Sequence, residues 1–445
     1  MMRSASADRR NLRLLWVGQF INTAGLMMLV PIMPFYVHGM GIDGVAEVQT
    51  WAGVAIAAPA LSLIVATPLW GRLGDRIGRK WMVVRALAGL AAAMVVMVSA
   101  TSPMLLLAGR LLQGGLGGVV EAAAAFAGAS GPTGKRGSTL GKSFSATAAG
   151  ALVGPLAGGA LVGTGGLREL MLAIAALAVI LGVACAVGLR EPSSTTTKEA
   201  DAPRPRRPGS PRHALHPPKP RLRDHVPGAI PLAIAAIAAY FGVYGLIPVF
   251  AEHVSATAGV ASAGMWVGVL QSLTWGATLL ASFWWGRRND RDQRPVPTFA
   301  LAAGGCAIGI AAQALPLDPV ALIPLRLLQG FCFAALAQSL FHHVSTSAPA
   351  GHTSGAVGSA NSFLLIGQSA GPLLAGPLIA LLPVPAVITL MGIACGVGAL
   401  LALAVARSQP ATQRDDFTVE FDLDATIEFD ARTIREPGRR LVDQR

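Results

Sequence analysis

The sequence predicts an all-α membrane protein whose twelve transmembrane helices form two pseudo-symmetric six-helix bundles. Three observations support this prediction: a very apolar composition, regularly spaced apolar runs and an internal repeat. Of the 445 residues, 53% are hydrophobic and only 13% are charged. That leaves too few polar side chains to cover the surface of a water-soluble chain of this length.

Apolar runs of about eighteen residues or more, the length that crosses a bilayer, recur along the whole chain. The first run lacks the small-residue cleavage site of a removed leader, so we count it as a spanning helix. Together the runs predict twelve helices, near residues 12–38, 49–70, 81–100, 103–129, 143–163, 168–189, 227–251, 261–285, 297–315, 319–344, 355–381 and 385–406.

Most of the charged residues lie between these runs and predict the topology. Positive loops remain on the cytoplasmic side of a membrane, so both termini are expected in the cytoplasm. This placement explains the net charge of +12, and no nucleic-acid partner is predicted. One set of loops carries the cations Arg72, Arg76, Arg79, Lys80, Lys135, Arg136 and Lys142, and the alternate loops carry the acids Asp43, Glu47, Glu252 and Asp318.

The chain is predicted to consist of two repeated halves, residues 1–189 and 227–406. The segment 190–226 between them is rich in Pro, Arg, Ser and Thr and lacks hydrophobic periodicity, which predicts a disordered basic linker in the cytoplasm. Duplicated halves around a midplane site are the architecture of secondary transporters. The matching pairs are WGRLGDR (70–76) with WGRRNDR (285–291), RLLQG (110–114) with RLLQG (326–330), and GALVGPLAGG (150–159) with GQSAGPLLAG (367–376).

The decapeptide GRLGDRIGRK at 71–80 resembles the signature that major facilitator superfamily transporters carry between their second and third helices. The resemblance implies the major facilitator fold and a gating motif in which the acid caps a facing helix end and pairs with basic residues. An ordinary positive loop would explain the arginines, but neither the aspartate nor the spacing. The implied gating residues are Gly71, Asp75, Arg76, Gly78 and Arg79.

The fifth predicted helix resembles the pattern that marks proton-exchanging exporters in this superfamily. Glycines spaced three and four residues apart clear one helix face for close packing, and a proline inside a helix permits a bend. Generic small-residue packing is the alternative and accounts for some of the glycines. The motif residues are Gly150, Gly154, Pro155, Gly158 and Gly159.

The fourth predicted helix carries two candidates for proton coupling. Arg110, followed by Gln113 and Gly114, resembles a family motif whose arginine is implicated in coupling; a snorkelling arginine is the alternative. Glu121 is the only carboxylate well inside an apolar run, and such a residue is functional by default. It lies ~16 Å along the helix from Arg110 and on the same side. A buried acid bonded to a neighbouring helix is the alternative for Glu121.

Polar and aromatic residues on the helices that line the pathway in this family are candidates for the substrate cavity. Each of them alone could equally be an interhelical hydrogen bond or a packing residue. Together they predict a largely neutral site with one acid, suited to a moderately hydrophobic molecule that is cationic or zwitterionic. The candidates are Gln19, Asn22, Tyr240, Tyr244, Gln271, Trp275, Asn361 and Gln368.

An enzyme is not predicted. The sequence GASG at 128–131 matches the GxSG of intramembrane proteases, but the nearest histidine candidates, His342 and His343, are expected at the cytoplasmic end of another helix, so nothing activates the serine. The four cysteines fall singly in different apolar runs, which predicts neither a disulfide framework nor a metal site. No cofactor is predicted.

The sequence therefore predicts a monomeric secondary transporter of the bacterial inner membrane that binds protons and a small molecule. The predicted reaction is proton-coupled export of a drug, a secondary metabolite or a siderophore, and proton-coupled uptake of a small metabolite is the alternative. The tail, 407–445, contains an octapeptide repeat, TVEFDLDA and TIEFDART. It is predicted to be either a strand pattern with an acidic face or a disordered acidic tail.

Overall fold

A computed structural model describes residues 2–119, 122–123, 136–189, 228–347 and 353–408. Within these ranges the chain forms α-helices joined by short turns, and no strand occurs in them, which confirms the all-α prediction. The helices are α1 Met2–Leu29, α2 Met33–His38, α3 Val45–Ile77, α4 Arg79–Val98, α5 Pro103–Gly115, α6 Arg136–Ala160, α7 Leu167–Gly188, α8 Ala229–Ala258, α9 Val260–Asp292, α10 Pro295–Ala312, α11 Pro319–Ser347, α12 Thr353–Leu378 and α13 Val384–Ser408.

Within the described residues, eight helical segments are long and apolar enough to cross a membrane, the first at Arg10–Leu29 and the last at Val384–Ser408. They support the membrane class, and the full count of twelve spans stays a prediction. Residues up to Ala406 cluster as one compact unit. The division into bundles 1–189 and 227–406 therefore also stays a prediction, and the segment 190–226 lies outside the described residues.

Several of the predicted helix boundaries are wrong, and three of them have a local cause in the sequence. The first predicted helix is two helices, α1 and α2, because Pro31 and Pro34 lack the backbone N–H that a continuous helix needs. The second does not end near residue 70 but continues to Ile77, and it ends at Gly78, whose φ of 94° suits glycine.

The third wrong boundary lies in the fourth predicted helix, which was expected to run to residue 129. Helix α5 ends at Gly115, and the backbone turns at Gly118 with a φ of 87° before helical geometry resumes at Val119. Its repeat partner α11 runs unbroken through the equivalent positions, where Phe333 and Ala334 replace Gly117 and Gly118. Glycine has the backbone freedom that permits the break.

Among the described residues, buried side chains form three hydrophobic cores. The largest lies among residues of α8–α13 and includes Trp285, Phe250 and Phe299. A second surrounds Met28, Leu90 and Met171 in the first half of the chain and takes in Ile247 from α8. A third, smaller core includes Leu15, Leu87 and Cys185. Most of the apolar packing is therefore within a half.

Glycines bring α6 and α1 into backbone contact. A side chain at Gly150, Gly154 or Gly158 would overlap backbone atoms of α1 near Phe20, Ala24 and Met28. The second half repeats the arrangement, because Gly367 and Gly371 of α12 lie against Ile237 and Phe241 of α8. The same offset of 217 residues relates Gly150 to Gly367 and Gly154 to Gly371. It also relates the α1 residues they contact, Phe20 and Ala24, to Ile237 and Phe241 of α8.

The halves meet at the ends of their helices remote from the 71–80 motif. A side chain at Gly53 of α3 would overlap the carbonyl of Pro372 in α12, and one at Gly159 of α6 would overlap Gly264 of α9. Toward the opposite end, Gly358 has nothing within 4 Å and Asn361 is exposed. The chain is therefore closed at the end remote from the motif.

Candidate substrate site

A cavity of about 150 Å³ lies where α1, α3, α5, α8, α9 and α12 converge. Five of the eight predicted cavity residues line it, and so does Arg110. The volume is below the ~300 Å³ lower range of drug-sized sites, so a larger substrate requires the helices to move apart. The polar and aromatic lining residues that the sequence predicted are Asn22, Tyr244, Gln271, Trp275 and Gln368.

Three predicted cavity residues lie elsewhere. Gln19 is fully buried, and its side-chain oxygen accepts a hydrogen bond from Thr147 Oγ1 at 3.3 Å, which is an interhelical contact between α1 and α6. Tyr240 is buried and stacks on Tyr244 with ring centroids 5.7 Å apart, so it supports the cavity wall from behind. Asn361 of α12 is exposed.

Arg110 lies inside the protein with an exposed fraction of 0%. Its Nε donates to the carbonyl of Ala55 in α3 at 2.9 Å, and its Nη1 donates to Gln113 Oε1 at 2.8 Å. A snorkelling arginine would keep its guanidinium in water. The observed position is instead that of a charged group held at the cavity by α3 and by its own helix.

The repeat partner Arg326 is equally buried but has different surroundings. Its Nη1 donates to Gln329 Oε1 at 3.3 Å, and its guanidinium lies 3.5 Å from the ring centroid of Phe250. Arg326 does not line the cavity described above. The two arginines therefore occupy equivalent positions in the repeat, but only Arg110 lines the cavity.

One wall of the cavity is aromatic. Tyr244 and Trp275 line the cavity, and both pack against Phe333, at centroid distances of 6.0 Å and 5.9 Å. Tyr240 completes the group from behind at 5.4 Å from Phe333. Arrangements of this kind are rigid and favourable for aromatic pairs, so the wall offers a fixed surface for an apolar group of a substrate.

The end of α5 beside the cavity is stabilised by two side chains. Trp70 Nε1 donates to the carbonyl of Gly115 at 2.6 Å, and Arg85 Nη2 donates to the carbonyl of Gly117 at 2.8 Å. The guanidinium of Arg85 lies 3.8 Å from the Trp70 ring centroid. The last carbonyls of a helix lack hydrogen-bond partners within it. The two side chains supply donors to the carbonyls at the break. Apart from the paired glycines, no sequence pattern predicts this arrangement.

Several predicted sites fall on residues that the structure does not describe. Glu121 lies outside the described residues, as does the GASG sequence with Ser130. The side chains of Arg72, Asp75 and Arg79 are likewise outside the description, although Asp75 belongs to α3. Arg76 is exposed and Gly78 ends α3. The gating and coupling roles therefore stay predictions.

His342 and His343, the candidates to activate the serine of GASG, lie on α11. His342 Nε2 lies 3.3 Å from Gln293 Oε1, and His343 is buried on the same helix. In the part of the chain that the structure describes, no group of three His, Cys, Asp or Glu residues could hold a metal ion.

Comparison with known proteins decides the family. The sequence profile of the Major Facilitator Superfamily matches residues 15–272 and 232–436. The chain belongs to the Major Facilitator Superfamily. It is 36% identical over 387 residues to the Staphyloferrin B transporter of Staphylococcus aureus, a match that covers 84% of this chain and 87% of that protein.

Other members of the superfamily match in part or in fold. The multidrug resistance protein MdtG of Proteus mirabilis is 38% identical over 172 residues, which cover 39% of this chain and 43% of MdtG. The peptide transporter POT in complex with sulfate has a TM-score of 0.68 at 17% identity, covering 89% of this chain and 94% of POT.

A bacterial homolog of the human lysosomal transporter Spinster, in an inward-facing and occupied conformation, has a TM-score of 0.68 at 14% identity. The match covers 89% of this chain and 96% of the homolog. At this identity the solved structures show the fold alone. The family places this major facilitator among transporters of small molecules, so it is a membrane protein and not an enzyme.

Proposed function

We propose that this major facilitator is a proton-coupled exporter of small amphipathic molecules that works by alternating access. The observation that carries the proposal is the position of α6, whose exporter-type motif packs against two different helices. Gly150, Gly154 and Gly158 lie against α1, and Gly159 lies against α9 in the other half. Helix α6 contacts the backbone of both halves and contains Pro155, where it can bend. A movement of α6 at the cavity would therefore change the contacts that close the end remote from the 71–80 motif.

Similarity to a multidrug resistance protein supports the direction. One relative transports staphyloferrin B and another is a multidrug resistance protein. The loop charges favour a bacterial cell membrane orientation with both termini in the cytoplasm. In that orientation the end closed by Gly53, Pro372, Gly159 and Gly264 is extracellular, and the cavity is reached from the cytoplasm, where an exporter collects its substrate.

The proposed coupling residues are Glu121 and Arg110, and the proposed cytoplasmic latch is Asp75 with its neighbouring arginines. Arg110 supports this assignment by its burial at the cavity, because a charged group inside a membrane protein marks a substrate or ion pathway. Proton binding at Glu121 would change the charge of the fourth span as substrate enters or leaves. The transporter is proposed to work as a monomer.

Transport in inside-out vesicles tests the proposal. Vesicles from cells that express the chain would be given an acid interior and offered staphyloferrin B or a cationic dye such as ethidium. Accumulation inside the vesicles corresponds to export from the cell and is expected for at least one compound. Stronger accumulation under the opposite gradient would favour uptake, and accumulation under neither gradient would contradict the proposal.

A further inference from the structure

We infer that the cavity binds the carboxylate of an amphipathic organic acid and that Arg110 is its anchor. This inference rests on the proposed transport function and specifies the substrate class. It is drawn from the hydrogen-bonding groups at the cavity, which are unevenly divided between donors and acceptors.

Three buried donors of the cavity lining have no hydrogen-bond partner. They are Arg110 Nη2, Gln113 Nε2 and Trp275 Nε1. Among the described residues that line the cavity, no buried acceptor is left without a partner. Buried donors are normally paired, and an unpaired one needs an explanation. A ligand that supplies only acceptors provides it.

The orientation of Gln113 follows from the chemistry of its neighbour. A guanidinium carries donors only, so the amide oxygen of Gln113 must face Arg110 Nη1, as it does at 2.8 Å. Its Nε2 is then the free group. The same interaction leaves Arg110 Nη2 free, since Nε is bonded to the carbonyl of Ala55. Two oxygens of one carboxylate suit a pair of donors of this kind.

Charge favours an anion over a neutral acceptor. No carboxylate of the described residues lines the cavity or forms an ion pair with Arg110. A buried charge requires compensation, and a ligand carboxylate would supply it.

In the second half of the chain, an aromatic ring covers the arginine at the equivalent position, Arg326. Arg326 also has free nitrogens, Nε and Nη2, but the ring of Phe250 covers its guanidinium. The repeat aligns MPFYV (33–37) with IPVFA (247–251), so the partner of Phe250 is Tyr36. The Tyr36 hydroxyl instead donates to the carbonyl of Met97 at 2.9 Å. Arg110 thus lines the cavity, and Arg326 does not.

The remaining lining residues suit the rest of an amphipathic acid. Tyr244 and Trp275 form the aromatic wall, and Met27, Ile56 and Ile247 add apolar surface. Apolar and aromatic lining with a few convergent polar groups is typical of small-molecule sites. The carboxylate would bind at Arg110 and Gln113, and the apolar body would pack against the aromatic wall.

Equilibrium binding to the purified full-length protein in detergent tests this inference. The probes are 1-naphthaleneacetate and its uncharged analogue 1-naphthaleneacetamide, measured by titration calorimetry without any ion gradient. The acid is expected to bind at least about tenfold more tightly than the amide. Arg110→Gln should abolish this preference, and the matched control Arg326→Gln should keep it.

The wild-type comparison requires no variant, so the test survives if Arg110→Gln fails to fold. No preference for the acid in the wild type, including no binding of either probe, would overturn the inference. Retention of the preference in folded Arg110→Gln would overturn it as well. An acid preference without proton-driven accumulation in vesicles would contradict only the export proposal, and accumulation without the preference would contradict only this inference.

Discussion

At the scale of single residues, environment distinguishes side chains that the sequence makes equivalent. Arg110 and Arg326 stand in identical RLLQG pentapeptides, yet only Arg110 lines the cavity. The sequence favoured a cationic or zwitterionic substrate because Glu121 is the one acid within an apolar run. The unpaired donors of Arg110, Gln113 and Trp275 favour an anion instead, and a local pattern could not indicate that they lack partners.

Glu121→Gln tests proton coupling at the residue scale. The amide keeps the shape of the acid but cannot release a proton, so gradient-driven accumulation in vesicles should be lost. Exchange of substrate across the membrane without a gradient should be partly retained, because the cavity residues are unchanged. A variant that still concentrates substrate against a gradient would place coupling at another residue.

Asp75→Asn tests the latch, with Asp290→Asn as its matched control. Asp290 is the repeat partner of Asp75, but it stands in WGRRNDR, where Asn289 replaces the glycine of the motif. Because the latch requires charge, Asp75→Asn should slow transport by tenfold or more at unchanged membrane abundance, whereas Asp290→Asn should leave the rate within about twofold. Equal effects of the two variants would count against a special role for the first copy.

At the scale of helices, glycine sets how closely elements approach. The stripe of Gly150, Gly154 and Gly158 brings α6 against α1, and the predicted face and spacing agree with these contacts. The break after Gly115 was not predicted, because the apolar run continues through it. Two adjacent glycines permit a break, and the donors of Trp70 and Arg85 stabilise it.

Gly154→Ala should destabilise the helix pair α1–α6. Its new Cβ would lie 2.6 Å from the carbonyl oxygen of Ala24, and overpacking of this kind costs about 1–3 kcal/mol. The matched control Gly358→Ala adds a methyl group where nothing lies within 4 Å, so its effect should be neutral or slightly stabilising. Thermal unfolding in detergent measures both, and equal melting temperatures would contradict the packing argument.

Trp70→Phe should weaken the end of α5, and Trp285→Phe is its control. Both indoles donate to a backbone carbonyl, of Gly115 and of Phe331 respectively. Phe331 lies within the continuous helix α11, where its carbonyl keeps a helical partner, whereas Gly115 is the last residue of α5. Loss of the Trp70 hydrogen bond should therefore lower the free energy of unfolding by about 1–3 kcal/mol, and loss of the Trp285 hydrogen bond should lower it by less. Hydrogen exchange at residues 112–119 in the two variants would separate these outcomes.

At the scale of the whole molecule, contacts between the halves determine which end is closed. Backbone contacts of Gly53 with Pro372 and of Gly159 with Gly264 close the end remote from the motif. Alternating access requires these contacts to separate when the cavity opens to the other side. The contact is formed at small residues, where the backbones of the two halves approach closely.

Cysteine labelling tests the closure. Gln49→Cys places a thiol at the closed end, where the side chain is 1% exposed, and Asn361→Cys places one at the open end. In the resting protein a membrane-impermeant maleimide should react at least tenfold faster with the second variant, applied to inside-out vesicles, than with the first, applied to intact cells. The native cysteines described in the structure are buried. Comparable rates would show that the resting state is not closed at the Gln49 end.

The sequence by itself determined the fold class and the family, and it predicted five of the residues that line the cavity. Apolar runs, loop charges and short motifs are local properties, so periodicity and spacing reveal them directly. Asn22, Tyr244, Gln271, Trp275 and Gln368 were predicted because each lies on a helix that the family uses for its pathway, and the structure brings them to one cavity.

Tertiary structure alone decided the break in α5, the closed end and the difference between the two repeated arginines. Each depends on atoms far apart in the chain: Trp70 with Gly115, Gly53 with Pro372, and Phe250 with Arg326. A hydrogen bond or a ring contact requires its partners within a few ångströms, and helix packing sets these distances. The repeat therefore fixed the equivalent positions, and packing decided that only Arg110 lines the cavity.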